Sequence, residues 1–333
     1  MRILIVTPLL PPEPGGPSYY AVHLKDELLV QGHKVETVAF REVRKYPSGI
    51  RHLLLFFKIL RRTWGTDGMI VLDTVSVALP AVFAGCILRK KIILRVGGDF
   101  VWERYIERTG ESVLLSEFYK KKIQLTKKEK FLIYLQKNII FPLATKIVFN
   151  TDWQRHVWYM PYGIDVSKST VIANAFQRKD GKHAGDKCTF LFCGRDIILK
   201  NKRGLSSAFK IVQKNYSQTN LEVLENVPQE VFFEKIKKVH ALVVPSVSEV
   251  NPNIVFEALS MGLPVLLTKD CGAKDILGDS VTWIDPLDPE DIAQKMQELM
   301  NEENYKKAKE KAQTFSYTHS YIDIAEEFVS LLK

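Results

Sequence analysis

Two doubly wound α/β domains, each on a parallel sheet, are the fold this sequence predicts, and three observations predict it. Short apolar runs alternate with amphipathic helical patterns along the chain, the mark of strand–helix–strand crossovers. A purely polar or small stretch, residues 177–186, interrupts the alternation, and the same pattern restarts after it. The 333 residues suffice for two ordinary domains, each with its own core. Two similar Rossmann-like halves facing a cleft are therefore expected, over residues 1–176 and 187–315. A last amphipathic segment, 316–333, reads as a helix.

In the first half, strands are expected at Arg2–Thr7, Lys34–Val38, Gly68–Leu72, Lys91–Val96, Lys146–Phe149 and Thr170–Ile172. Each is a short apolar run bounded by polar or turn residues, as in a sheet buried on both faces. Helices are expected near Ser18–Gln31, Ile50–Trp64, Val75–Leu88, Leu114–Leu135 and Asp152–Met160. In the second half, strands Thr189–Cys193, Leu221–Leu224, Ala241–Val244, Pro264–Leu267 and Val281–Ile284 alternate with helices near Lys202–Lys214, Gln229–Lys238, Asn253–Met261 and Pro289–Met300.

Composition narrows the function classes. Hydrophobic content of 46% with 26% charged residues is that of a soluble globular protein. The apolar start, Met1 to Leu10, runs into Pro11, Pro12 and Pro14 with no small-residue cleavage site, so a loop after a strand is expected rather than a signal peptide. Met69 to Leu88 holds Asp73 and Pro80 and reads as strand plus helix rather than a membrane span. Cys86, Cys188, Cys193 and Cys271 show neither metal spacing nor a disulfide framework, so reduced, buried thiols are expected.

Charge is uneven. Residues 1–186 hold 29 basic against 17 acidic residues, a net +12, and residues 187–333 hold 18 against 21, a net −3. One basic block runs from Arg41 through Arg51, Lys58, Arg61 and Arg62; the other from Lys120 through Lys127, Lys128 and Lys130. Apolar residues interleave both (Leu53 to Phe57; Phe131 to Tyr134), a pattern suited to an anionic membrane surface. No nucleic-acid motif accompanies the charge, and no nucleic-acid partner is expected.

The chemistry concentrates in a few motifs. Ala241–Val244 and Pro245-Ser246 lead to Glu249, and Glu257 follows eight residues later on the next helix, before Gly262-Leu263-Pro264-Val265. Glu249 therefore stands at a strand's carboxyl end, the rim where open α/β sheets bind ligands. Two carboxylates there accept hydrogen bonds from vicinal hydroxyls of the kind a sugar and a ribose offer. After the first strand, Gly15-Gly16 precede a helix, where backbone N–H groups can approach an anion. Their spacing matches neither Gly-x-Gly-x-x-Gly nor Gly-x4-Gly-Lys-Ser/Thr, which excludes the nicotinamide and P-loop readings. Gly194-Arg195 ends the first strand of the second half, and Lys200 follows on the loop.

These motifs, in this order over nearly the whole chain, resemble retaining glycosyltransferases of family 4 (glycosyl transferases group 1), which have the GT-B fold. The match rests on Pro-x-x-Gly-Gly, Gly-Arg with Lys200 in register with Ala208-Phe209, and Glu-x7-Glu followed by Ala-x3-Gly-x-Pro-Val. The resemblance implies transfer of a sugar from a UDP- or GDP-linked donor to a hydroxyl acceptor, attacking from the face the leaving group departs. Arg195 and Lys200 would neutralise the leaving diphosphate, whose own oxygen helps deprotonate the acceptor. Glu249 would orient donor-sugar hydroxyls, with Val250, Asn251, Asn253 and Ile254 beside it, and Glu257 would hold the ribose. The turn at Val227, Asn174 at the end of the first domain, and Gly15 and Gly16 would complete the donor site. In GT-B proteins the last helix packs back onto the first domain. No cofactor or metal is expected, and no Asp-x-Asp motif is present.

Three departures stand out. Asn201 occupies the family's glycine after the lysine, which leaves Lys202 and Arg203 as alternatives to Lys200. Val250-Asn251-Pro252 replaces Gly-Phe/Leu-Pro and leaves the donor sugar open. Gly98 falls where many members carry histidine, so Asp99 is expected either to take over the polar contact at the reacting centre or to cap the next helix. The same fold serves nucleotide-sugar 2-epimerases and glycogen phosphorylase relatives, but this chain lacks the histidine-rich sites of the former and the cofactor lysine motif of the latter. A nucleotide-sugar-binding, non-catalytic subunit of a polysaccharide assembly complex is the alternative function. The acceptor is expected to be lipid-linked or a surface glycan, with the protein cytoplasmic and peripheral to the inner membrane face.

Overall fold

The computed structural model describes residues 1–13, 15–176, 185 and 188–333. They form two compact units. One holds Met1–Val101, Gln124–Ala175 and His319–Lys333; the other holds Trp102–Ile123 and Phe176–Thr318. The expected connector, 177–186, lies outside the described residues apart from Gly185.

In the first unit, β1 (Arg2–Thr7), β2 (Lys34–Ala39), β3 (Gly68–Val71), β4 (Lys91–Arg95), β5 (Lys146–Phe149) and β6 (Ser169–Val171) make a parallel sheet in the order β2-β1-β3-β4-β5-β6. Ile3 and Ile5 of β1 point to one face with Ile70, Ile93 and Val148. Two helices cover that face: Gly16–Val30 through Leu24 and Leu28, and Tyr321–Leu332 through Ile324, Phe328 and Leu332. Burying each such side chain is worth roughly 1.5–3 kcal/mol. The terminal helix starts later than expected because Ser320 and Asp323 form a capping box. Its close seat needs Gly68: a Cβ there would stand 2.7 Å from Leu332 Cδ2 and 3.0 Å from the Lys91 carbonyl oxygen.

In the second unit, β7 (Thr189–Gly194), β8 (Asn220–Glu225), β9 (Ala241–Val244), β10 (Val265–Thr268) and β11 (Thr282–Ile284) form a parallel sheet in the order β11-β10-β9-β7-β8. The sheet is buried on both faces, and β7 shows it residue by residue. Phe190 and Phe192 meet Leu205, Phe209, Ile292 and Met296 on one side. Leu191, on the other side, belongs with Val255, Phe256 and Leu259.

Helix boundaries differ from expectation in instructive ways. The expected helix Leu114–Leu135 is two, Leu115–Phe118 and Lys127–Leu135. Thr126 and Glu129 form a capping box that starts the second afresh, and its Thr-x-x-Glu signature stands in the sequence. The first piece does not stay with the expected first domain: Trp102–Ile123 packs in the second unit, where Leu115 and Phe118 are buried. Glu302–Thr314 adds a helix not expected. Of the four cysteines, expected to be buried, Cys271 is, whereas Cys86 is exposed.

Candidate functional site

Both sheets reverse their strand order beside their first strand. In the second unit β8 lies on one side of β7 and β9 on the other, so the crevice at their carboxyl ends is the topological switch point. Arg195 and Lys200 follow β7, Val227 follows β8, and Glu249 follows β9. Topology alone brings four expected site residues to one rim.

Lys200 Nζ donates to Glu249 Oε1 at 2.6 Å, with the two side chains 24% and 13% exposed. Its stem runs beside Gly194, where a Cβ would lie 3.4 Å from Lys200 Cγ. Lys202, the rival cation in sequence, is held by the carboxylates of Asp196 and Glu225. Hydrogen bonds to Asp196 and Glu225 raise its pKa. Asn201 explains itself: it sits in the left-handed region at φ 52° and ψ 38°, which glycine takes freely and asparagine best among the others. Its side chain also caps the helix Lys202–Asn215 by accepting from Gly204 N–H at 3.2 Å. Its amide donates to the carbonyls of Pro245 at 3.1 Å and Pro286 at 2.6 Å. The departure therefore preserves the turn and ties it to the β9 loop. Arg195 is exposed, and among the described residues its guanidinium takes no ion pair.

Glu249 is fixed through its backbone. Its N–H donates to the Asp270 carbonyl at 3.0 Å, and its own carbonyl accepts from Gly272 N–H at 2.8 Å. Glu257 is in the second turn of the helix Asn253–Ser260, and its carboxylate accepts from the Gln229 side-chain amide. Gln229 was not singled out from sequence; its position at the start of the helix after the Val227 turn was the available signal. Cys193, at the end of β7, feels both site charges. Burial pushes its thiol up to about 11, with Glu257 reinforcing the shift and Lys200 opposing it. Val227 and Ile254 pack on the core and leave backbone, not side chain, to meet a ligand. Val250 and Asn251 are half-buried, Asn251 Oδ1 has no hydrogen-bond partner among the described residues, and Asn253 is exposed.

The remaining expected residues lie in the first unit. Gly15, at φ 128°, adopts a backbone that other residues rarely take, and it precedes the helix Gly16–Val30. Asp99 is 1% exposed and accepts from Val101 N–H at 3.1 Å, the geometry of a cap on the helix Phe100–Thr109. Asn174 Oδ1 accepts from Arg95 Nη2 at 2.6 Å, and the buried Arg95 guanidinium lies 3.9 Å from the centre of the Tyr20 ring. Among the described residues, no group of three or more His, Cys, Asp or Glu side chains is placed to hold a metal ion.

Comparison with known proteins bears on the fold. Residues 184–315 match the family model for glycosyl transferases group 1. Over the full length the fold is similar to HepE of Anabaena, solved with UDP and glucose: TM-score 0.69, 13% identity, covering 100% of this chain and 99% of that one. It is similar to sucrose-phosphate synthase from Thermosynechococcus elongatus, with TM-score 0.68, 14% identity and coverage of 99% and 98%. WaaG, a glycosyltransferase involved in lipopolysaccharide biosynthesis, gives TM-score 0.66, 13% identity and 99% coverage of both chains. No curated protein sequence matches. These likenesses show the fold: the two parallel-sheet domains have the GT-B fold of these structures.

Proposed function

We propose that this chain transfers a sugar from a UDP- or GDP-linked donor to a hydroxyl acceptor, with retention at the anomeric carbon and without a metal ion. The observation that carries the reading is the Lys200–Glu249 pair at 2.6 Å on the second unit's switch-point rim, beside an exposed Arg195. Breaking a glycosidic phosphate bond leaves charge on the diphosphate, and the held Lys200 with the exposed Arg195 would stabilise it. Glu249, locked by backbone bonds on both sides, presents its other oxygen to sugar hydroxyls. Glu257, oriented by Gln229, accepts from the ribose, while Val227, Val250, Asn251, Asn253 and Ile254 frame the donor. In the first unit, Gly15 and Gly16 offer backbone to the diphosphate or acceptor. Uridine donors come first for testing, because HepE is solved with UDP-glucose.

Thermal shift with a panel of nucleoside diphosphates tests donor choice, since a ligand that binds only the folded state raises its stability. UDP or GDP is expected to raise Tm, and transfer is expected to survive excess EDTA. Complete inhibition reversed by manganese sinks the metal-free mechanism; binding without any turnover favours the non-catalytic subunit.

The acceptor is proposed to be lipid-linked and met at the inner face of a membrane. The helix Ile50–Thr63 supports this: Leu53 and Phe57 are more than half exposed among Arg51, Lys58, Arg61 and Arg62, with no acidic residue in the helix. Two of those cations are already paired, Lys58 with Glu42 and Arg62 with Glu36, which lowers the charge left for lipid. Among the described residues no helix is long and apolar enough to cross a membrane. Sedimentation with anionic vesicles at low salt, lost at high salt and with neutral vesicles, is the expected result. Protein left in the supernatant with anionic vesicles points to a soluble acceptor.

A further inference from the structure

Trp102–Ile123 leaves the run of the first unit and packs in the second. The segment is tied to itself: Trp102 Nε1 donates to the Val113 carbonyl at 2.7 Å, and the Tyr105 hydroxyl donates to the Glu111 carboxylate. Buried Leu115 and Phe118 anchor it. Two further bonds take it to the rim. Leu199 N–H donates to Glu107 Oε1 at 3.2 Å, and Leu199 immediately precedes Lys200. Leu115 N–H donates to Ser248 Oγ at 2.9 Å, and Ser248 immediately precedes Glu249. The Ser248 hydroxyl in turn donates to the Asp270 carboxylate, and the backbone carbonyl of that aspartate holds Glu249 N–H. One excursion therefore grips the residue before each member of the Lys200–Glu249 pair.

We propose that Glu107 and Ser248 are positioning residues, through which the 102–123 excursion sets the geometry of Lys200 and Glu249 for transfer. The inference rests on the reading of that pair as the donor-site machinery. Neither residue needs to touch substrate. Glu107 is exposed at the segment's outer side, so its own burial supplies little stability. Its contribution is the direction of one backbone N–H, and with it the start of the loop that carries Lys200. Small displacements of a charge-stabilising group are costly to the chemical step and cheap to ground-state binding. A carboxylate is not required for this, because an amide oxygen accepts the same hydrogen bond.

The test is steady-state kinetics on the full chain, with UDP or GDP affinity measured by calorimetry. Glu107→Ala and Ser248→Ala are each expected to lower kcat about tenfold while donor KM and nucleotide Kd stay within about twofold. Glu107→Gln is expected to recover most of the loss. The double alanine variant should fall well short of a hundredfold, since both changes loosen one pair. Wild-type kcat in Glu107→Ala and Ser248→Ala overturns the proposal, as does a lowered Tm with unchanged kcat. Glu107→Gln as impaired as Glu107→Ala also overturns it, because the charge and not the hydrogen bond would then matter. Lys200→Ala separates the two readings. If it is inactive while both positioning variants turn over normally, only this inference fails; if it turns over normally, the donor-site reading fails and takes the inference with it.

Discussion

After β1 in the first unit and after β7 in the second, the chain leaves equivalent places in one strand order, second–first–third–fourth–fifth, with a sixth strand added in the first unit. The loops that follow differ in kind. The β7 loop carries Arg195 and Lys200 toward Glu249, with Glu257 and Gln229 close behind: charges and amides in mutual contact. The β1 loop carries Gly15 and Gly16; exposed Arg41 donates to its Leu10 carbonyl at 3.2 Å and Arg44 pairs with its Glu13, while elsewhere in the unit Asp99 is buried as a helix cap and Arg95 is held on Asn174 and Tyr20. Strand order thus fixes where a site is possible, while the side chains after the first and third strands decide whether that site handles charge. On the function proposed above, the second unit would meet an anion with cations and the first would offer glycine backbone.

The sharpest way to break that contrast is to remove charge from each rim. Arg195→Ala, Lys200→Ala and Glu257→Ala are each expected to lower kcat/KM more than a hundredfold with an unchanged fold, since none of these side chains sits in a core. Near-normal turnover by any of them would move the chemistry elsewhere. Asp99→Asn is the matching change in the first unit. Asparagine caps a helix as well as aspartate does, so Tm and turnover are expected to hold, and Asp99→Ala is expected to cost about 1 kcal/mol of stability. A tenfold fall in kcat for Asp99→Asn at unchanged Tm would instead make that carboxylate a partner of the sugar or acceptor.

A stability experiment sharpens the other side. Gly68→Ala forces a methyl against Leu332 and the Lys91 carbonyl, and about 1–3 kcal/mol is the expected loss, read by chemical denaturation. No loss would mean that the terminal helix is not seated where the contacts place it. The smallest effect concerns thiols. Burial holds Cys193 at about 11 and Cys271 at about 12, so both remain protonated at pH 8. Alkylation followed by mass spectrometry should label exposed Cys86 first. Cys193 reacting as fast as Cys86 would contradict its partial burial and raised pKa.

Much of this was legible in the residues. Apolar runs such as Ile3–Val6 and Ala241–Val244 are buried on both faces, and such runs are read easily because nothing competes with the strand. The Gly194-Arg195 and Glu249–Glu257 motifs were legible because strand ends are, and parallel topology then collects them at one rim. The excursion was not. Glu107 meets Leu199 and Leu115 meets Ser248 across gaps of 92 and 133 residues, and no local pattern announces such partners. Nor was the engagement of Asn174 by Arg95, a pairing 79 residues apart. Glu302–Thr314 was missed for a different reason: it is mostly charged, with Ala312 its buried residue, so its apolar period is faint.

The terminal helix has a consequence for how this protein is made. Leu24, Leu28 and the β1 isoleucines are synthesised long before Ile324, Phe328 and Leu332, which close the face they build. Throughout elongation the nascent first unit carries an open apolar surface, while the second unit has all its residues once Thr318 has left the ribosome. Of the two domains, the one begun first is therefore finished last, and its open apolar face favours aggregation during the interval. A chain broken off before Tyr321 would have its second sheet complete and its first exposed, which favours aggregation or proteolysis.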